Sequence, residues 1–306
     1  MKEKKLGFIG VGHMGQAMVK SLLNNGHEVL IHSRRRDPLE ELISRGAVYC
    51  ERPEDTVVEG GILFNCLPDD KALLSVFHAD STIFEKLGDT GLHVSMATTS
   101  PQTSKIVHER HKKFGGSYCV ATVIGRPDLV ETKRQFYIMA GESVQVDRVR
   151  PILESIGRGT YFFGEQPELA NVAKLSFNFL IVSAIEAMAE SFAFARKNGV
   201  DPSLFLTMIS ETLFGCPVYT SNGKALVDRQ SYPQPPVTLA MLAKDTNLLV
   251  SSARESQTPM RFASVLQDRF TASLAKGRAN HEWLAGIAID VEEEAGMNSG
   301  GYRSAP

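Results

Sequence analysis

The segment Gly10-Val-Gly12-His-Met-Gly15 constrains this chain more than any other, because of what stands on either side of it. It follows an apolar run, Leu6-Gly-Phe-Ile9, and opens a helix-length stretch, 14–24, that stops at Gly26, a residue suited to the left-handed turn after a helix. A second strand pattern, Glu28-Val-Leu-Ile31, comes next. Strand, glycine-rich turn, helix and strand make a βαβ unit, whose crossover runs the two strands parallel. The G-x-G-x-x-G string is weak alone, and its placement gives it content. Gly10 would make the tight turn. Gly12 would let the backbone approach a pyrophosphate at the positive end of the helix dipole, and Gly15 would let helix and strand pack closely. Val11, His13 and Met14 complete the same turn, with His13 read as a packing or capping residue.

The alternation continues, with strands predicted at 62–67, 92–96, 118–123, 136–140 and 160–163. The early strands are apolar throughout, as expected when helices cover both faces of a sheet. Asp37-Pro38-Leu-Glu40 reads as a helix start, with Asp37 as N-cap and Pro38 in the first turn, and that helix ends at Gly46. The fold class is therefore α/β, a Rossmann-type doubly wound sheet. After Gly164 the strand signals stop. A single helical pattern fills 167–198, about 45 Å long at about 1.5 Å per residue. Helices follow near 203–214, 221–229, 238–254, 260–276 and 281–293. The predicted organisation is a dinucleotide-binding domain over 1–165, an all-helical substrate and oligomerisation domain over 166–295, and a disordered tail over 296–306.

Composition narrows the partners. The 306 residues carry 33 basic and 35 acidic side chains, net −2, so there is no overall basic field to attract nucleic acid or an anionic membrane. The most apolar stretch, 177–189, is interrupted by Glu186. Met1-Lys-Glu-Lys-Lys5 runs straight into a strand pattern without a signal-peptide core, which predicts a cytoplasmic protein. Cys50, Cys66, Cys119 and Cys216 form no C-x-x-C pair and read as reduced thiols.

The end of the second strand selects the dinucleotide. An NAD site places an acid there for the ribose diol. Here the residues are His32-Ser33-Arg34-Arg35-Arg36, with no acid before Asp37. Guanidinium groups grip a 2′-phosphate through paired hydrogen bonds, so the expected cofactor is NADP(H), with Ser33 and Arg34 as first contacts and Arg35 next. In the long helix, Lys174 and Asn178 share one face at i, i+4 spacing among Leu169, Ala173, Phe177, Leu180, Ile181 and Ala184. Two readings of Lys174 stand: a general acid whose proton affinity is lowered beside a cationic nicotinamide, or a lysine snorkelling along the helix surface. His108 and His111, with Arg110, Lys112 and Lys113 around them, read as a solvated face and not a metal site, and Trp283 as a core or contact residue.

From residue 6 to about 290 the chain resembles the β-hydroxyacid dehydrogenases, the group containing 3-hydroxyisobutyrate dehydrogenase and the glyoxylate/succinic semialdehyde reductases. Five stretches carry the resemblance in order: Gly7-Phe-Ile-Gly-Val-Gly-His-Met-Gly15, Cys66-Leu-Pro-Asp-Asp70, Thr98-Thr-Ser-Pro101, Lys174-Leu175 with Asn178, and Lys244-Asp245. By that resemblance Lys174 protonates a carbonyl oxygen and Asn178 orients it. Cys66, Leu67, Pro68 and Thr98 line the nicotinamide end. Lys244 comes from the helical domain to substrate and cofactor, with Asp245 in support. The resemblance also implies a homodimer or homotetramer.

The departures from the family pattern cluster at the substrate. Ala97 stands where a serine is usual, Phe177 replaces an asparagine, and Glu168-Leu-Ala170 replaces Gly-x-Gly. Ile124-Gly125-Arg126 replaces the carboxylate-binding Ser-Gly-Gly. Either Arg126 grips an acid group with its planar fork, or it pairs with Asp128 or Glu131. The expected function is NADPH-dependent reduction of a small carbonyl compound, a semialdehyde or keto acid. The alternatives are an imine reductase-like enzyme, which the lysine argues against because those enzymes resemble this chain but generally carry Asp or Tyr there, and a non-catalytic NADP-binding sensor or partner module.

Overall fold

The computed structural model describes residues 3–231, 235–298 and 302–304. The chain divides into two compact units, Met1–Lys174 and Leu175–Pro306. The division falls within the long helix instead of before it.

The first unit alternates strands and helices: β1 Lys5–Ile9, α1 His13–Asn24, β2 Glu28–His32, α2 Glu40–Ser44, β3 Val48–Tyr49, β4 Ile62–Asn65, α3 Asp70–Val76, α4 Ile83–Leu87, β5 Leu92–Ser95, α5 Pro101–Lys113, β6 Ser117–Ile124, α6 Pro127–Glu131, β7 Phe136–Ala140, α7 Ser143–Ile156 and β8 Gly159–Phe162. The eight strands form one sheet in the order β3-β2-β1-β4-β5-β6-β7-β8. Every neighbouring pair is parallel except β6 and β7. The reversal has a simple cause. Only 125–135, with the short α6, joins β6 to β7, and a parallel crossover needs about a dozen residues or more.

Alternate residues of the central strands enter different cores. Leu6, Phe8, Phe64, Cys119 and Met139 join one cluster with α1 and α7, while Ile9, Leu63, Val120 and Ile138 join another with α3, α4 and α5. Both faces are apolar because both are covered, which is what the unalternating strand sequences require. The order reverses direction between β1 and β4, and the crevice at the carboxyl ends of those strands is the topological switch point of such a sheet.

Two local expectations are corrected. Arg36, not Asp37, is the N-cap of a short 3-10 turn, Asp37–Leu39, which precedes α2 and makes no side-chain cap. His111 is not on a solvated face. It is 1% exposed, on the stripe of α5 that also buries Ser104 and Val107, while Lys112 and Lys113 take the outside. Its Nε2 meets His93 Nδ1 at 2.8 Å, and His93 Nε2 meets Asn65 Nδ2 at 2.6 Å. Spacing along one helix could not reveal a partner contributed by β5.

The second unit holds the rest of α8, Glu168–Lys197, then α9 Pro202–Glu211, α10 Pro217–Val227, β9 Gln230–Ser231, α11 Leu239–Glu255, α12 Arg261–Ala275, α13 Trp283–Glu294 and β10 Arg303–Ser304. By length and composition alone α8 could cross a membrane. Here its apolar side chains Val182, Ile185, Met188, Phe192 and Ala193 are buried in a core with Leu239, Phe270, Trp283 and Ile287. Glu186 is buried as well and accepts from Arg269 Nε at 2.8 Å. The tail departs from the disordered expectation where it is described: Met297 and Tyr302 pack on this core, and Arg303–Ser304 pair in parallel with Gln230–Ser231. Residues 299–301 and 305–306 of that expectation lie outside the described residues.

Candidate functional site

The turn after β1 has the form its glycines require. Gly10 adopts φ +92°, and a Cβ there would lie 2.8 Å from the Cys66 carbonyl oxygen. A Cβ on Gly15 would lie 2.3 Å from the Gly10 carbonyl oxygen, so that helix and turn pack with no room for a methyl group. Gly12 is different. A Cβ there meets nothing within 4 Å, and Gly12 is the N-cap of α1 with no side-chain cap. The first helical N–H groups have no intrahelical carbonyl, and their dipoles add at this end. An open cradle lined by such amides fits the pyrophosphate of a dinucleotide. His13 is exposed at the first position of α1 and neither caps the helix nor lies in its core.

Past the end of β2 the arginines separate by partner. Arg36 pairs with Glu40 at 3.3 Å and lies over the Tyr49 ring at 5.3 Å. Arg34 and Arg35 are exposed and have no hydrogen bond or ion pair among the described residues. Tyr49 Oη donates to the Ser33 carbonyl at 3.4 Å, which ties this loop to β3. Two unengaged guanidinium groups suit a phosphate monoester, since each charge-assisted bond is worth roughly 1.5–3 kcal/mol.

The loops after β4 and β5 are cross-braced. Cys66 continues from β4, its N–H donating to the Ile9 carbonyl at 2.9 Å, which sets Cys66-Leu67-Pro68 beside the glycine turn. Asp69 caps α3 by accepting from Ala72 N at 2.8 Å. Asp70 reaches the other loop and accepts from Ser100 N at 2.8 Å, next to Thr98 and Thr99. The two carboxylates of the Cys66–Asp70 motif thus shape the site instead of supplying its chemistry.

Lys174 is 9% exposed, on the stretch of α8 whose Leu169, Ala170 and Ala173 pack into the core beneath α3, α4 and α5. It is not the solvent-reaching lysine of the snorkelling alternative. One turn earlier stands a residue the sequence reading missed: buried Asn171, whose Nδ2 donates to the Thr99 carbonyl at 3.3 Å and to Thr99 Oγ1 at 3.1 Å. The only signal in the sequence was an amide side chain in an apolar stretch of helix, and nothing local named its partner.

One turn after Lys174, Asn178 Nδ2 donates to Asp245 Oδ2 at 2.7 Å, and Lys244 Nζ lies 2.9 Å from Asp245 Oδ1. The two segments of α8 and α11 that the sequence singled out therefore meet through one carboxylate. Ile124, Gly125 and Arg126 follow β6. Gly125 takes φ +158°, and a Cβ there would lie 2.8 Å from Gln135 Cβ. Arg126 is exposed and makes a two-point pair with Asp128, at 3.3 and 3.2 Å, which is one of the two roles left open for it.

The chain matches known proteins along nearly its whole length. Residues 5–164 match the NAD binding domain of 6-phosphogluconate dehydrogenase, and residues 169–288 match the NAD-binding domain of NADP-dependent 3-hydroxyisobutyrate dehydrogenase. An uncharacterized oxidoreductase of Bacillus subtilis, YfjR, is 31% identical over 281 residues, 92% of this chain and 98% of that one. Glyoxylate/succinic semialdehyde reductase 1 of Arabidopsis thaliana is 25% identical over 283 residues, 92% and 97% of the two chains. The fold is similar to that of Mycobacterium tuberculosis 3-hydroxyisobutyrate dehydrogenase, with a TM-score of 0.83 at 20% identity over 93% of this chain and 98% of that one.

Proposed function

The chain belongs to the β-hydroxyacid dehydrogenase family, and from that premise we propose that it is an NADPH-dependent reductase of a small carbonyl compound, a semialdehyde or keto acid, with Lys174 as the proton donor. The observation that carries the reading is Lys174 itself: a lysine only 9% exposed in an apolar helix, one turn from an asparagine whose amide is held by a carboxylate.

Bound NADPH supplies a hydride to the substrate's carbonyl carbon. The chain's own residues do the rest. The α1 amides and Gly12 hold the pyrophosphate, and Arg34 with Arg35 holds the 2′-phosphate. Lys174 Nζ gives its proton to the carbonyl oxygen as negative charge builds there. Asn178 uses one N–H on Asp245 and keeps the other to orient that oxygen. Arg126 takes the acid group of the substrate. Its present pair with Asp128 is exposed and worth only about 0.2–1 kcal/mol, so a substrate carboxylate exchanges for it at little cost. In the helical unit Leu180, Phe194, Leu204 and Leu213 stay exposed, and we assign them to self-association as a homodimer or homotetramer.

The test is consumption of NADPH against a panel of aldehyde acids, keto acids and cyclic imines. Lys174→Ala should bind NADPH nearly as the native chain does, by fluorescence titration, and lose about a hundredfold or more in turnover. Arg34→Ala should weaken NADPH much more than NADH. Full turnover in Lys174→Ala, or turnover of imines alone, would overturn the assignment.

A further inference from the structure

Asn171 is 1% exposed and sits in the opening turn of α8, three residues before Lys174. Both of its hydrogen bonds go to one residue, Thr99. A carbonyl can only accept, so the Thr99 carbonyl fixes which end of the amide faces it and turns Oδ1 away. That Oδ1 is buried and has no hydrogen-bond partner among the described residues. For stability alone this is a poor arrangement, because an unsatisfied buried acceptor is costly and an apolar side chain of similar shape would avoid the cost.

What the amide does provide is direction. Leu169, Ala170 and Ala173 hold the same turn by apolar packing, which does not by itself fix rotation about the helix axis. A second polar tie, Glu168 with Lys105, is long at 3.7 Å and more than half exposed on the lysine side. Thr99, in contrast, is fully buried, and the next residue's amide is pinned by Asp70. The two-point bond from Asn171 therefore ties α8 to a rigid anchor.

We propose that Asn171 is a positioning residue for the reaction: its bond to Thr99 sets the rotation of the first turn of α8, and so the place of the Lys174 ammonium relative to the Thr98–Thr99 segment. The inference rests on the reading of Lys174 as proton donor. Asn171 touches neither substrate nor cofactor in this role. Misplacing a reacting group by about 1 Å can cost on the order of a hundredfold in rate, so a small rotation is enough.

The experiment compares Asn171→Leu, Asn171→Gln, Thr99→Val, the Asn171→Leu/Thr99→Val double variant and Lys174→Ala. Asn171→Leu should lower kcat by roughly ten- to a hundredfold while NADPH affinity stays within about twofold. The emission of bound NADPH should change, and the high-pH limb of the kcat profile, where the donor loses its proton, should move. Asn171→Gln keeps an amide donor and should recover part of the rate. Thr99→Val removes one acceptor, should cost less, and should be non-additive with Asn171→Leu. An Asn171→Leu enzyme with native kcat and an unmoved pH limb, beside an inactive Lys174→Ala, would sink the inference alone. So would additive losses, or a rate loss matched by loss of folded protein. Native turnover in Lys174→Ala would instead sink the assignment of Lys174, and the positioning role with it.

Discussion

At the first βα turn the inner glycines answer to different neighbours, and this separates binding from folding. A methyl group at Gly15 would press on the Gly10 carbonyl at 2.3 Å, whereas one at Gly12 would project into open space. Gly15→Ala should destabilise the first unit by about 1–3 kcal/mol, the usual cost of overpacking. Gly12→Ala should change stability by less than that and still weaken NADPH strongly, since the methyl group occupies the approach of the pyrophosphate. Urea melts together with NADPH titration separate the two, and equal stability losses would contradict the assignment. The difference in packing was legible in the sequence because each glycine's neighbour is fixed by the βαβ turn itself. Asn171 was not legible, because Thr99 lies 72 positions away and only packing brings it near.

Elements meet in the first unit through a buried polar pair. His93 on β5 and His111 on α5 share a 2.8 Å contact inside an aromatic cage, with Phe77 stacked on His93 at 4.0 Å between centroids. With Asn65 donating to His93 Nε2, His93 Nδ1–H donates in turn to His111 Nε2. Both rings are then neutral. Burial, and secondarily a neighbouring imidazole that would compete for a proton (His111 for His93, His108 for His111), holds His93 well below the usual histidine range and pushes His111 down to about 3. The sign follows: these groups bind protons more readily unfolded, at an ordinary value of 6.5, than folded. Their stabilising effect is complete above about pH 6.5 and is lost as pH falls below that, for His111 toward about 3. Chemical denaturation should show stability dropping by up to about 1.4 kcal/mol per pH unit for each histidine below that point. His111→Gln, which can still accept from His93, should flatten the slope; an unchanged slope would clear His111 of the effect. The pattern of α5 alone gave His111 to solvent because Arg110, Lys112 and Lys113 dominate its sequence, and charge there outweighed a weak apolar stripe.

Across the whole molecule the two units are held by different means. The first rests on a sheet apolar on both faces, while the second encloses carboxylates among arginines and lysines. Glu292, 2% exposed, accepts from Arg196 at 2.8 Å and from Arg229 at 3.0 Å, and Asp290 is enclosed by Ser273, Lys276 and Arg278. Removing one member of such a buried pair leaves the others uncompensated, so Glu292→Ala should cost about 3–5 kcal/mol by calorimetry, and a loss below about 1 kcal/mol would show the pair to be dispensable. The sequence by itself determined the parallel βαβ start with its turn at Gly10 and the strand-to-helix change after Gly164, because period and glycine placement are local properties of the chain. Only the tertiary structure decided that β7 runs antiparallel, that Asp70 and Asn171 brace the loops, that Asp245 holds Asn178, and that His111 is a core residue. Apart from the strand reversal, each of those facts is a hydrogen bond or burial between residues 18 or more positions apart, and no periodicity records the partner at the far end.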